Sequence, residues 1–218
     1  YYGPAVVMTY DNDGWGIDNM DRVTAHEMGH IFYATDEYNG VKEFSGYLNV
    51  ADIDYSGCLM HNNELKLSSG TWGQVGWRDT DGYGIQDIVD TFPDTKLVPY
   101  SPDPTTDATL LYTGSVAEVP YPNKNPMGTH KSVTINTITR VEYRIDSCGW
   151  LKAKAIDGVF DEAEEEFGFT TPNLSSGTHT IEIRGINSVG NAETSYASDT
   201  VTVASLIKVS IEPKWAFV

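Results

Sequence analysis

Two histidines and a glutamate near the start of the chain have the types and spacing of a catalytic metal site. His26 and His30 are four residues apart, so on a helix both imidazoles lie on one face and can reach one ion. Glu27 follows the first histidine and is free to act on a water molecule rather than on the ion. The string His-Glu-x-x-His therefore predicts a zinc site.

A zinc ion at a catalytic site usually takes three protein ligands and keeps a fourth position for water or substrate. Asp36, six residues after His30, is our candidate for the third ligand. Glu37 and Tyr38 compete for this place, but Glu37 is one residue off that spacing. A tyrosine more often orients a carboxylate or donates to a charged intermediate, so Tyr38 is a candidate contact for the substrate or transition state.

A helix and the turn after it must position these residues. The helix is predicted to run from about residues 18–20 to about Tyr33. The alternative is an amphipathic helix whose histidines bind nothing. Val23, His26, Glu27 and His30 share one face, which a purely packing helix would fill with aliphatic residues, and this favours the metal site.

The residues His26, Glu27, His30 and Asp36 resemble the signature of the metzincin zinc peptidases, H-E-x-x-H-x-x-G-x-x-H, whose third ligand is Asp in some branches. Tyr33 stands where that family usually has glycine, which tolerates the positive φ of a sharp helix exit. The ending D-E-Y is partly similar to secreted bacterial IgA-peptidase-like enzymes, in which the aspartate lies one residue further along.

A methionine turn beneath the metal is a second feature of the metzincins. Met60, within the segment Ser56–Asn62, fits this feature, although most methionines are ordinary core residues. Some metzincins carry a tyrosine ligand two residues after the methionine. Asn62 occupies that position here, so the resemblance implies no additional ligand.

The resemblance also implies a mechanism and a substrate. A zinc-activated water would attack a peptide carbonyl, with Glu27 as the general base that then protonates the departing amine. Pro4–Tyr10 is predicted to be an apolar edge strand. In the metzincin arrangement that strand borders the cleft, where a peptide could pair with it by β-augmentation. The alternative is a strand of the sheet core.

Composition restricts the partners. The 218-residue chain has a formal net charge of −17, which argues against binding to nucleic acid. No stretch approaches the apolar length of a membrane span. The acidity suits a secreted protein or a solvated surface in a salty habitat.

The expected catalytic domain is short at its beginning. Metzincins place most of a sheet and a helix before the active-site helix, so we expect the domain to be N-terminally incomplete. Cys58 and Cys148 could bridge, pair with upstream sequence or stay free.

A second metal site is predicted in the segment Asp79–Asp90, which matches the calcium loop of EF-hands at several positions. The candidate calcium ligands are Asp79, Asp81, Tyr83, Ile85 (through its carbonyl), Asp87 and Asp90. Tyr83 replaces the usual Asp or Asn, and Asp90 is shorter than the usual Glu. The alternative is a polar turn leading into a short helix.

Prolines cluster between Lys96 and Asp107 and predict a domain boundary. We therefore divide the chain into a peptidase domain (1–98), a linker (99–106), a β-sandwich (107–205) and a C-terminal tail (206–218). The predicted sandwich strands are Val133–Ile135, Arg140–Ile145, Leu151–Ala155, Phe167–Thr170, Thr178–Ile186 and Thr200–Val203. This part resembles the immunoglobulin-like or fibronectin type III-like modules of secreted enzymes, which says little about function. The acidic run Asp161–Glu166 is expected to be a solvated loop, and His179 a surface residue.

The predicted fold class is α+β, with the C-terminal part of a metzincin-like catalytic domain followed by an antiparallel β-sandwich. The predicted function is that of a secreted zinc-dependent endopeptidase acting on a protein or peptide. The alternative is a non-catalytic extracellular adhesion or binding module that retains a structural metal site. Glu27 favours the enzyme, because only catalysis needs it.

Overall fold

A computed structural model describes residues 5–38, 40–127 and 130–205 of the chain. The chain divides into two compact units. The first unit runs to Thr91 and also includes Val119–Ile135, whereas the second comprises Phe92–Glu118 and the chain from Asn136 onward. The predicted tail 206–218 lies outside the described residues.

Short helices and turns make up most of the first unit. Its elements are two 3-10 helices (Asn12–Gly14 and Ile17–Asn19), helix α1 (Met20–Ile31), strands β1 (Phe44–Ser45) and β2 (Val50–Ala51), and helices α2 (Leu59–Asn62) and α3 (Ser69–Gln74). Strands β1 and β2 pair antiparallel. A small buried cluster of Ala34, Cys58, Leu59 and Met60 forms its core.

The segment Val119–Ile135 belongs to the first unit through polar contacts. The Lys124 amide donates to the Tyr47 carbonyl at 2.9 Å. The Asn125 side chain donates to the Gly46 carbonyl at 3.0 Å. The predicted strand Val133–Ile135 is therefore wrong, because these residues lie in this segment and have no strand structure.

The second unit is an antiparallel β-sandwich. Its strands are β3 (Pro93–Leu97), β4 (Leu111–Glu118), β5 (Ile138–Ile145), β6 (Leu151–Lys152), β7 (Lys154–Ala155), β8 (Glu164–Thr170), β9 (Gly177–Asn187) and β10 (Ala197–Val203). Among the described residues they form two four-stranded sheets, in the orders β10-β9-β5-β6 and β3-β4-β8-β7.

Alternating side chains fill the core between these sheets. Ile181 and Ile183 of β9 are fully buried, which confirms the inward face that their period-two pattern predicts. Tyr112, Phe169 and Tyr143 stack in sequence, with ring centroids 5.4 and 3.8 Å apart. Because these aromatic rings come from both sheets, they join the two layers.

The sequence predicts that the first domain ends at residue 98, but the structure places this boundary earlier in the chain. Pro93–Leu97 pairs with β4 as a sheet strand, so the first stretch of the first unit ends at Thr91. The segment 99–106 does not act as a linker between the units. It lies within the sandwich, where Thr105 pairs with Val203 and the Tyr100 amide donates to Asp199.

Two further predictions in the sandwich need correction. The predicted strand Leu151–Ala155 is split at Ala153, so that its two halves belong to different sheets. Glu164–Glu166 begin β8 and are not a solvated loop, because Glu165 is buried and accepts the amides of Asp161 and Glu162 at 2.8 Å.

Of the residues that the structure describes, no helix has both the length and the apolar character needed to cross a membrane.

Candidate metal centre

Helix α1 carries the two histidines. It runs from Met20 to Ile31, two residues short of the predicted end, and buries Val23 and His26. The imidazoles of His26 and His30 lie edge to face with centroids 5.0 Å apart, as the four-residue spacing predicts.

The chain leaves α1 through a left-handed residue. Tyr33 has φ of 70°, the conformation that glycine adopts most readily. The amide of Ala34 donates to the Gly29 carbonyl and that of Tyr33 to the His30 carbonyl, both at 3.0 Å, which is the Schellman pattern of a helix end. Tyr33 therefore makes a sharp exit from the helix, although it is not a glycine, and Asp36 lies near the two histidines.

The three predicted zinc ligands come together. Oδ1 of Asp36 lies 3.1 Å from Nε2 of His26 and 3.5 Å from Nε2 of His30. Ligand atoms of all three residues lie within 4.8 Å of one another. Two donors bound at about 2.0–2.1 Å to a tetrahedral ion are separated by about 3.3 Å, so this spacing fits one small ion.

Backbone carbonyls orient both imidazoles. Nδ1 of His26 lies 2.8 Å from the Leu59 carbonyl, and Nδ1 of His30 lies 2.8 Å from the Ala34 carbonyl. A carbonyl only accepts, so each Nδ1 carries hydrogen and each Nε2 points toward Asp36. Histidines that bind metals are typically held in this way. The donor set thus fits a metal ion.

The centre is open on one side. The side chain of His26 is 9% exposed, but those of His30 and Asp36 are 37% and 30% exposed. A cleft of about 550 Å³ is lined by His26, Glu27 and Tyr38. Glu27 therefore lines the same cleft as His26, one of the three predicted ligands.

The segment before α1 also lines this cleft. Val7, Met8 and Thr9 contribute to its wall. Residues 5–10 have no strand structure, however, so the predicted edge strand Pro4–Tyr10 is wrong for its described part. Pro4 itself lies outside the described residues.

Tyr38 lies beside the centre. Burial raises the pKa of Tyr38, as do the charge of Asp36 and a hydrogen bond with it, and Glu27 adds to the shift. The ring meets His61 edge-on, with centroids 6.2 Å apart. The hydroxyl is thus placed to orient Asp36.

Met60 packs against helix α1. Its side chain is fully buried, and its Sδ is close to Gly29 of α1. It belongs to helix α2, whose first residue supplies the carbonyl that orients His26.

Glu37 is buried rather than placed as a ligand. Its carboxylate accepts hydrogen bonds from the hydroxyls of Ser68 and Thr71 and from the thiol of Cys58. Sequence reasoning missed this role. The signal available was Ser68, an N-cap residue whose hydroxyl accepts the Thr71 amide at 2.9 Å at the start of α3.

In the predicted calcium loop, the carboxylates of Asp79 and Asp87 bind other groups of the chain. Asp79 accepts the amides of Gly82 and Gly84 at 2.8 Å. These bonds lower the pKa of Asp79. Asp87 pairs with Nε of Arg78 at 2.7 Å.

Within the described residues, one group of three side chains of the types that bind metals comes together, and it consists of His26, His30 and Asp36. Asp79, Asp81, Asp87 and Asp90 do not form a second group of this kind. Calcium binding by this loop stays a prediction.

Comparisons with known proteins leave the family open. No family model matches the chain, and no curated protein matches its sequence.

Two solved structures show partial likeness. The crystal structure of the sulfane dehydrogenase SoxCD from Paracoccus pantotrophus matches with 18% identity and a TM-score of 0.32, over 46% of this chain and 23% of that one. The fibronectin(III)-like modules of Clostridium thermocellum CbhA match with 16% identity and a TM-score of 0.31, over 51% of this chain and 97% of theirs. The chain thus matches less than a quarter of the SoxCD chain.

Proposed function

We propose that the first unit is a zinc-dependent endopeptidase of metzincin type, acting on proteins or peptides outside the cell. The observation that carries the proposal is the convergence of both Nε2 atoms on Oδ1 of Asp36, at 3.1 and 3.5 Å. Three groups that all offer lone pairs in one place need a cation, or protons on both rings, to be stable together.

Zinc is the metal that this donor set favours. Two imidazoles and one carboxylate match catalytic zinc sites, whereas calcium and magnesium prefer oxygen ligands alone. When bound, zinc would activate water and polarise a peptide carbonyl. The exposed sides of His30 and Asp36 leave room for a substrate group.

The residues of the chain divide the remaining work. The carboxylate of Glu27 takes the proton from the attacking water and gives it to the departing amine. The hydroxyl of Tyr38 orients Asp36 before the reaction, and by turning from Asp36 it can donate its one proton to the negative charge that develops on the substrate. The cleft that contains Glu27 and Tyr38 holds about 550 Å³, enough for several atoms of a peptide backbone.

The competing function is a non-catalytic adhesion or binding module with a structural metal. A structural zinc site closes its coordination shell with four protein ligands. The three-residue group and its exposed ligands argue for the catalytic form.

Zinc content and peptidase activity separate these functions. We expect about one zinc per chain by elemental analysis. Replacing Glu27 by Gln should abolish cleavage of a broad peptide library while zinc stays bound. Glu64→Gln is the matched control, because Glu64 pairs with Arg22 and does not line the cleft.

Three outcomes are informative. If the wild-type chain binds no more zinc than His26→Ala, the metal site is wrong. If Glu27→Gln cleaves peptides as well as the wild type, the assignment of the base is wrong. If zinc binds but no peptide is cleaved, the binding module is favoured.

A further inference from the structure

Asp36 lies between two residues that are both tied to helix α3. Thr35 precedes it and Glu37 follows it, and neither points into the metal centre. Their partners are Ser68, Thr71 and Gln74, which lie at the start and end of the same short helix. The third ligand is therefore held from both sides by one element.

Glu37 supplies one side of this arrangement. Only 2% of the residue is exposed. One carboxylate oxygen accepts the hydroxyls of Ser68 and Thr71, the latter at 2.9 Å, and the other accepts the Cys58 thiol at 2.8 Å. Its amide also donates to the Met60 carbonyl at 2.8 Å, which ties the segment to the methionine turn.

Thr35 supplies the other side. Its amide donates to Oε1 of Gln74 at 2.8 Å, and Nε2 of Gln74 donates back to the Thr35 hydroxyl at 2.8 Å. Gln74 is 1% exposed, so its amide group has exchanged water for these contacts. The Thr35 hydroxyl also lies 3.2 Å from Oδ2 of Asp52.

We infer that Glu37, with Thr71 and Gln74, positions Asp36 for the metal. A buried carboxylate is costly unless fully hydrogen-bonded, and an apolar residue would fill the same space at lower cost. A metal ligand, in contrast, must be held within a few tenths of an ångström, and Asp36 follows a helix end where the backbone alone does not fix it. We call Thr35, Glu37, Ser68, Thr71 and Gln74 the polar clamp.

This inference rests on the proposed zinc site, and zinc affinity tests it directly. We would measure the zinc dissociation constant by competition with a chelator in the folded chain. Thr71→Val removes one donor to Glu37 at nearly constant volume. Gln74→Met removes the hydrogen bonds of Gln74 to Thr35. Each should weaken zinc binding about tenfold, the low end of the effect of direct partners of metal ligands, because Thr71 and Gln74 act on Asp36 through its neighbours.

Two further variants serve as controls. Thr71→Ser keeps the hydroxyl and should bind zinc within about twofold of the wild type. Thr24→Val removes a comparable side-chain bond, from Oγ1 to the Met20 carbonyl at 2.6 Å, on the helix that bears the histidines. It should also leave zinc affinity within about twofold.

The outcomes distinguish the clamp from the site itself. If Thr71→Val and Gln74→Met are less stable without metal but bind zinc as tightly as the wild type, the clamp only supports the fold and the inference is overturned. Equal weakening by Thr24→Val would also overturn it. If the wild type binds no zinc, the proposed function is wrong, and the inference that the clamp positions a zinc ligand is wrong with it.

Discussion

Gly29 and Met60 are in such close contact that a side chain on the glycine would displace the end of the Met60 side chain. A Cβ atom on Gly29 would lie 2.7 Å from Sδ and 3.3 Å from Cε of Met60. The helix that carries both histidines therefore packs directly against Met60 of α2. Met60 directly follows Leu59, whose carbonyl orients His26.

Replacing Gly29 by Ala should destabilise the first unit. Alanine gains about 0.5–1 kcal/mol in a helix interior relative to glycine. Overpacking against a buried side chain costs about 1–3 kcal/mol, because Met60 must move. The packing cost is larger, so we expect a net loss of about 1 kcal/mol in the free energy of unfolding, measured by calorimetry.

A double-mutant cycle isolates this contact. Met60→Ala alone should cost about 2–5 kcal/mol through the cavity that it leaves. In the Met60→Ala background, Gly29→Ala should become neutral or stabilising, since the clash is gone. A stabilising Gly29→Ala in the wild-type background would show that the two residues are not in contact.

A substitution at Tyr33 is expected to raise the stability of the first unit, whereas the one at Gly29 lowers it. Its left-handed conformation costs a residue with a Cβ about 1–2 kcal/mol relative to glycine. Replacing Tyr33 by glycine would remove this cost. Glycine also raises the entropy of the unfolded chain, which offsets about 0.4–1 kcal/mol of the gain. The side chain is 68% exposed and adds little packing.

Tyr33→Gly should therefore stabilise the first unit by about 0.5–1 kcal/mol, measured as a shift of its thermal unfolding transition. Tyr33→Ala keeps the Cβ and serves as the control, with no expected gain. Equal gains from both variants would point to the tyrosine ring rather than to the backbone.

The sequence was most informative where chemistry demanded a fixed spacing. The helix, the pair of histidines and Asp36 follow from residue types four and six positions apart. The clamp could not be predicted in this way, because Glu37 and Thr71 meet only through the tertiary fold. The residue type alone does not distinguish a buried glutamate from a solvated one.

The sandwich shows the same limit. Strands β5 and β9 were predicted from clean alternation. Strand β4 was missed because Thr113, Gly114 and Ser115 interrupt its apolar pattern. β3 was missed because its neighbouring prolines resembled a linker. The start of β8 was missed because its residues are acidic, although buried and exposed side chains alternate there. Glu165 is one of the buried residues, and its carboxylate accepts two backbone amides.

The two cysteines should differ strongly in reactivity. Cys58 is fully buried, and its thiol donates to Glu37. Burial and the hydrogen bond with Glu37 raise the pKa of Cys58 to about 12, so the reactive thiolate is scarce at neutral pH. Cys148 is free and exposed.

Alkylation of the native chain followed by mass spectrometry should label Cys148 alone, and unfolding in denaturant should expose both thiols. The sequence left open whether these cysteines form a bridge. Absence of labelling in the denatured, non-reduced chain would demonstrate a disulfide and contradict the free thiols.

His179 and Asp146 should make the stability of the sandwich depend on pH. Nδ1 of His179 lies 2.7 Å from Oδ2 of Asp146, and the residue is buried rather than on the surface as predicted. This hydrogen bond, with one to the Ser175 carbonyl, raises the pKa of His179. The same bond to His179, with one from the Thr180 amide, lowers the pKa of Asp146.

The signs of the two shifts define a window. The raised pKa of His179 gives stability that is complete below the unfolded value of 6.5 and is lost as pH rises through the folded value. The lowered pKa of Asp146 gives stability that is present above 3.8 and is lost as pH falls through its folded value. The pair therefore stabilises the sandwich most between these two pH values.

Replacing His179 by Gln should accordingly cost more at about pH 5 than at about pH 9. We expect a difference of about 0.5–1 kcal/mol, typical of an ion pair with one exposed partner, from urea unfolding of the second unit at both pH values. His130→Gln is the matched control, since His130 is exposed and lies in the first unit. If His179→Gln lowered stability equally at both pH values, the loss would reflect packing alone and not the charge on the imidazole.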